Sequence, residues 1–147
     1  YSSLKLEKSF DFGKWTLDNS IIYQIINQNE DILNLPQFMS RNTLFFSERI
    51  FRNTLAIQTG INFKIFSKYY ANEYNPLISD FHIQNQKKIG SFPLFDFFFN
   101  AKIRQTKIFI IAEHINSSFT GNNFYSTPES VYRDFGVRFG FKWNLFN

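Results

Sequence analysis

His82 and His114 are the only histidines among 147 residues, and cysteine is absent. A zinc site needs three or four nitrogen or sulfur ligands, and no third ligand stands at a suitable spacing from either histidine. His114 follows Glu113 directly, the nearest approach to a Ser/His/acid hydrolase site. Neighbours on a strand point to opposite faces, so those two side chains cannot pair. Gly-x-Ser-x-Gly and Ser-x-His patterns are absent. The sequence therefore predicts no enzyme: no catalytic residue, no metal and no cofactor. The Phe119–Phe124 segment reads as a turn, since Gly121 and its asparagines tolerate positive φ. The chemically telling residues are polar ones spaced by two. They are Glu7; Gln58, Asn62 and Lys64; Asp96, Asn100, Lys102 and Arg104; and Arg138 and Lys142. Lining a lumen, such fixed charges select solutes. Paired with one another, they would instead fill a closed interior. Basic groups outnumber acidic ones in this set, which predicts a mild anion preference.

Period-two spacing needs strands to carry it. The clearest is the terminal run from Asp134 to Asn147. Phe135, Val137, Phe139, Phe141, Trp143 and Leu145 share one parity; Gly136, Arg138, Gly140, Lys142 and Asn144 share the other. Arg138, Gly140, Trp143 and Leu145 fit the polar-x-Gly-x-x-apolar-x-apolar signal that closes bacterial outer-membrane barrels. Six more segments precede it: about 3–12, 15–27, 38–49, 55–68, 94–104 and 107–116. In the third, Phe45 falls on the polar side. The sixth is apolar on both faces, and Glu113 suggests that its odd positions face inward.

Aromatic residues make up 20% of the chain, 21 of them Phe, yet mean hydropathy is only −0.27. Both hold if apolar residues occupy one face of each strand. That is the pattern of a transmembrane barrel, whose lumen is polar and whose outside meets lipid. No apolar run reaches the eighteen residues of a spanning helix. The formal charge of +4 and pI near 9.3 raise the question of nucleic acid. The basic residues are scattered singly in the sequence without a cluster, so no nucleic-acid partner is predicted. Connections alternate short and long: 13–14 short, 28–37 long, 51–53 short, 69–91 long, 105–106 short, 117–132 long. Outer-membrane barrels have short periplasmic turns and longer external loops. Trp15 and Trp143 lie at the short-turn ends, and Tyr69, Tyr70, Tyr74 and Tyr132 at the long-loop ends, as interfacial aromatic belts would.

The expected fold class is all-β: an antiparallel up-and-down transmembrane barrel. An odd strand number and Tyr1 at the start fit about seven C-terminal strands of a larger barrel, residues 1–147 being one portion of one domain. An open sheet edge is untenable in lipid. Missing N-terminal strands of the same barrel, or a partner chain, are therefore expected to close it. The competing fold is a soluble β-sandwich binding module. Its strands usually run five or six residues, shorter than these.

Beyond architecture, the chain resembles a family of Gram-negative outer-membrane proteins known as putative porins. Matching stretches include Leu33-Asn-Leu-Pro-Gln-Phe38, Gln58-Thr-Gly-Ile-Asn-Phe63, Lys68-Tyr-Tyr-Ala-Asn-Glu-Tyr-Asn-Pro76 and Phe92-Pro-Leu-Phe-Asp-Phe-Phe-Phe-Asn-Ala-Lys-Ile103. Ala112-Glu-His-Ile-Asn116, Phe119-Thr-Gly-Asn-Asn123 and Tyr132-Arg-Asp134 add to them. The likeness covers most of the chain from residue 17 onward and corresponds to the C-terminal part of longer members. It implies the cell outer membrane as location. Outer-membrane lipid, lipopolysaccharide and the barrel-assembly machinery are the implied partners. The implied function is passive diffusion of small hydrophilic solutes; the alternative is a non-conducting barrel serving as a structural or interaction subunit of an envelope assembly.

Overall fold

Alternation of β-branched or aromatic residues with polar ones leaves each segment only one economical arrangement: extended, with its two faces in different surroundings. The computed structural model describes residues 1–28, 32–120 and 124–144. In chain order the strands are β1 (Ser2–Phe12), β2 (Trp15–Ile25), β3 (Phe38–Ile50), β4 (Leu55–Phe66), β5 (Tyr69–Tyr70), β6 (Glu73–Asn75), β7 (Asp80–His82), β8 (Lys88–Ile89), β9 (Leu94–Ile103), β10 (Thr106–Glu113), β11 (Tyr125–Thr127), β12 (Ser130–Val131) and β13 (Gly136–Trp143). No helix among the described residues is long and apolar enough to cross a membrane.

Seven strands form one antiparallel sheet in the order β1-β2-β3-β4-β9-β10-β13. Each long strand pairs with the next long one in the chain, so the topology is up-and-down. β1 and β13 are its two edges and do not pair with each other, so these strands do not close a barrel. Three two-stranded ribbons complete the structure: β5 with β8, β6 with β7, and β11 with β12. All three lie in the long connections. The first two prolong the β4–β9 hairpin beyond the sheet.

No second large sheet covers the first among the described residues, so the packing of a β-sandwich is absent. Leu4 and Leu6 are each 59% exposed, Phe141 74% and Phe139 83%, all on one face. A water-soluble domain would bury such a face. The buried apolar cluster lies instead at the long-loop end. Phe92, Leu94 and Phe124 form it, with Phe66 and Tyr132 packed against them. Phe92 meets Phe66 and Phe124 edge-to-face at 5.3 and 5.1 Å.

Several boundaries differ from the expectation, each for a local reason. The terminal strand begins at Gly136, not Asp134, because its partner β10 has already ended at Glu113. Leu145 of the proposed closing signal lies outside the described residues, as do Gly121, Asn122 and Asn123 of the expected turn. The sixth strand stops before His114 rather than running to Asn116. His114 has φ +53, and its N–H donates to Asp96 Oδ1 at 3.0 Å instead of continuing the ladder. The short turn after β9 sits at Arg104–Gln105, one residue earlier than expected. Arg104 takes φ +52 there and is a turn residue rather than a strand residue.

Candidate functional site: the polar face of the sheet

Register decides which side chains share a face. On β3 and β4, Arg41 opposes Lys64, Thr43 opposes Asn62, Phe45 opposes Gly60 and Ser47 opposes Gln58. Asn62 in turn opposes Asp96, Gly60 opposes Phe98 and Gln58 opposes Asn100 on β9. Ile111 then opposes Arg138, and Phe109 opposes Gly140. Gln58, Asn62, Lys64, Asp96, Asn100, Lys102, Arg138 and Lys142 thus share one face, and Glu7 joins them through Ser20 and Arg41. Arg104 alone of the ten is displaced, into its turn. Glu113 shares this face opposite Gly136, which resolves the parity of the sixth strand.

Gly60 lets the sheet pass between two phenylalanines. A Cβ there would come within 2.3 Å of the Leu44 carbonyl oxygen and 2.6 Å of Phe45 Cβ. Gly140 has a different reason. The Phe109 ring crosses it, 2.6 Å from where a Cβ would stand. An aromatic ring over a glycine on the neighbouring strand shields backbone that has no side chain of its own. This gives the glycine of the terminal signal a local role.

The face is concave. A hollow of about 490 Å³ is lined from β2 to β13, by Asp18, Arg41, Asn62, Asp96, Phe98 and Arg138 among others. Among the described residues, four of its six charged side chains are ion-paired, and Asp18 and Arg41 are not. Lys64 Nζ donates to Asp96 Oδ2 at 2.7 Å. Asp96 is 8% exposed, and its other oxygen takes the His114 N–H, so its two carboxylate oxygens have separate partners. Glu113 receives Arg133 at 3.0 Å and also Arg138. Ser9 donates to Asp18 at 2.5 Å, and Thr43 to Asn62 at 2.7 Å.

At the long-loop end His114 is fully buried. Its Nδ1 lies 2.8 Å from the Arg133 carbonyl, which makes Nδ1 the donor in the neutral ring. Phe124 and Tyr132 enclose it edge-on, at 4.5 and 5.6 Å. Its Nε2 has no partner among the described residues. Neither ring nitrogen meets a serine or a carboxylate. Among the described residues, no group of three His, Cys, Asp or Glu could hold a metal ion. The loops are tied to one another by polar contacts. Lys87 Nζ donates to the Pro128 carbonyl at 2.5 Å and stands 3.9 Å over the Tyr125 ring. Buried Gln84 satisfies the carbonyls of Ala71 and Lys87 at 2.6 and 2.9 Å.

The aromatic residues expected at two interfaces are placed differently at the two ends. Trp15 and Trp143 stand on the apolar face, 48% and 61% exposed. Tyr132 packs inward on Phe92 and His114, which makes it part of the loop core rather than of an outer belt. Tyr70 lies under Lys88 Nζ at 4.8 Å. Tyr69 packs edge-on against Phe66 at 6.0 Å, and burial pushes its phenol pKa up.

Among the residues of this face outside the ten, besides Asp18 and Arg41, are Arg49 and Lys107. Arg49 opposes Ala56, Ala56 opposes Lys102, Lys102 opposes Lys107, and Lys107 opposes Lys142. Four of the sixteen basic residues scattered along the chain are thus gathered into one row. Parity alone could have suggested each of them, but the third segment was irregular and the sixth was apolar on both faces.

The described residues thus form a single-layered antiparallel sheet with a hollow, charge-bearing face and a bare apolar face. A family model described as "Putative porin" matches residues 1–147, and the chain belongs to that family. No curated protein and no solved structure matches it.

Proposed function

We propose that the chain forms part of the wall of an outer-membrane porin-like channel, through which small hydrophilic solutes diffuse passively. The observation that carries this reading is the contrast between the two faces. One is apolar, uncovered and rich in phenylalanine, as lipid contact requires; the other is concave and lined by hydrogen-bonded and charged groups. Membership of the porin family supports it. In this reading further strands, from the same protein or a partner chain, pair with β1 and β13, because unpaired strand edges are untenable in hydrocarbon. Outer-membrane lipid and lipopolysaccharide meet the apolar face, and the barrel-assembly machinery inserts it. The role is non-enzymatic.

Single-channel recording of the intact native protein in a planar bilayer tests the proposal. Stable conductance steps are expected. A folded barrel, recognised by heat-modifiable gel migration, that conducts nothing would overturn the channel reading. It would favour a structural or interaction subunit whose interior is filled by the Lys64–Asp96 and Glu113–Arg138 pairs.

A further inference from the structure

The charges of the polar face are not distributed evenly. Towards the long loops Lys64 and Arg138 are paired with carboxylates, and Arg41, though in no ion pair among the described residues, has Asp18 diagonal to it. At the short-turn end the register builds a row of Arg49, Ala56, Lys102, Lys107 and Lys142 across β3, β4, β9, β10 and β13. Its four basic side chains are all exposed, and none takes part in an ion pair among the described residues. The adjacent row holds Ser47, Gln58, Asn100, Phe109 and Gly140, without a carboxylate. Of the acids at this end, Glu48 has the opposite parity on β3 and is taken by Lys14, and Asp11, on the edge strand β1, takes the Thr16 hydroxyl. Like charges directly opposite on neighbouring strands destabilise a sheet. Here Lys102, Lys107 and Lys142 oppose one another on three successive strands with nothing to offset them.

We propose that this row is a binding rung for small oxyanions, namely solutes carrying phosphate or carboxylate groups. Three ammonium groups on neighbouring strands, with the Arg49 guanidinium across Ala56, present donors along one line to several oxygens at once. The row sits on the hollow face at the sheet's short-turn rim, where a solute passing along that face must cross it. Lys64 and Arg138 are each paired with a carboxylate and Arg41 has Asp18 diagonal to it, so the rung is the largest group of basic residues on this face with no acid opposite or diagonal. The inference deepens the channel reading and rests on it for the route the solute takes.

The test uses the intact protein and the variant Lys102→Gln/Lys107→Gln/Lys142→Gln, with heat-modifiable migration as the folding check. Reversal potentials in a KCl gradient give ion selectivity, and inorganic pyrophosphate added to the short-turn side is the blocking probe. The native channel is expected to prefer chloride and to be blocked by pyrophosphate. The triple variant should lose the chloride preference and need at least about tenfold more pyrophosphate for half-block. Unchanged selectivity and block in a conducting triple variant would overturn the proposal. Should the folded protein not conduct, the channel reading fails by itself. The rung is then decided by phosphorus NMR line-broadening of pyrophosphate with the micelle-bound protein. Broadening that disappears in the variant supports the rung; equal broadening in both sinks it. If the triple variant does not fold, Lys107→Gln alone is used, and it should weaken block about threefold; no change would count against the rung.

Discussion

The two ends of the sheet are built on opposite principles. At the long-loop end, Phe92, Leu94 and Phe124 are buried, His114 is enclosed, and Asp96 and Glu113 hold their basic partners. At the short-turn end Arg49, Lys102, Lys107 and Lys142 are exposed, and the three lysines repel one another across the register. One end gains stability from dehydrated contacts. The other carries an electrostatic cost that the loop end must offset, and uncompensated charge of this kind is what a charged solute can use. The same strands run through both ends, so the division lies along each strand and not between domains.

The most severe way to break the comparison is to cut between the ends. Gly60→Val should prevent a folded sheet, since the added atoms meet the Leu44 carbonyl and Phe45 at their backbones. Loss of the heat-modifiable form would show it; normal folding would mean that β3 and β4 separate more easily than their register implies. Removing the loop core comes next. Phe92→Ala should cost about 3 kcal/mol or slightly more in reversible urea unfolding from micelles, and a loss near zero would mean that the cluster does not anchor the loops. Asp96→Ala frees Lys64 and orphans the His114 N–H. Because the Lys64 side chain is 40% exposed, the expected cost is discounted to about 1–2 kcal/mol. The same variant should make the channel more chloride-selective, and a cation shift would contradict the pairing. At the weak end of the scale, Lys107→Gln should raise stability by a few tenths of a kcal/mol, roughly 0.2–0.5, by relieving repulsion from two neighbours. A measurable loss would show that the row is not under electrostatic strain.

Much of this division was legible in the sequence, but only as far as parity reaches. Five of the seven long strands follow from clean alternation; the third was irregular, and the sixth, apolar on both faces, was oriented by Glu113 alone. Phe45 on the polar side, which looks like an error in the pattern, has its place opposite Gly60. The basic row was illegible because its members stand at positions 49, 102, 107 and 142. Only the pairing offset of four strand pairs makes them neighbours, and alternation gives parity without offset. The end of β10 was hidden for another reason. His114 adopts a left-handed backbone stabilised by Asp96, eighteen residues away in sequence. The ribbon of β11 and β12 was missed because strands of three and two residues are too short to show a period.

The register that assembles the basic row also proofreads how the strands come together. A slip of one residue between β10 and β13 would reverse the faces of β13, putting Arg138 and Lys142 where Val137, Phe139 and Phe141 now stand. In the proposed membrane setting each cation facing mid-bilayer lipid costs roughly 2–4 kcal/mol, with less near the interface. Misregistered intermediates would therefore be rejected by the bilayer before any solute is met, and neutralising the lysines should allow more misassembled product to accumulate during insertion.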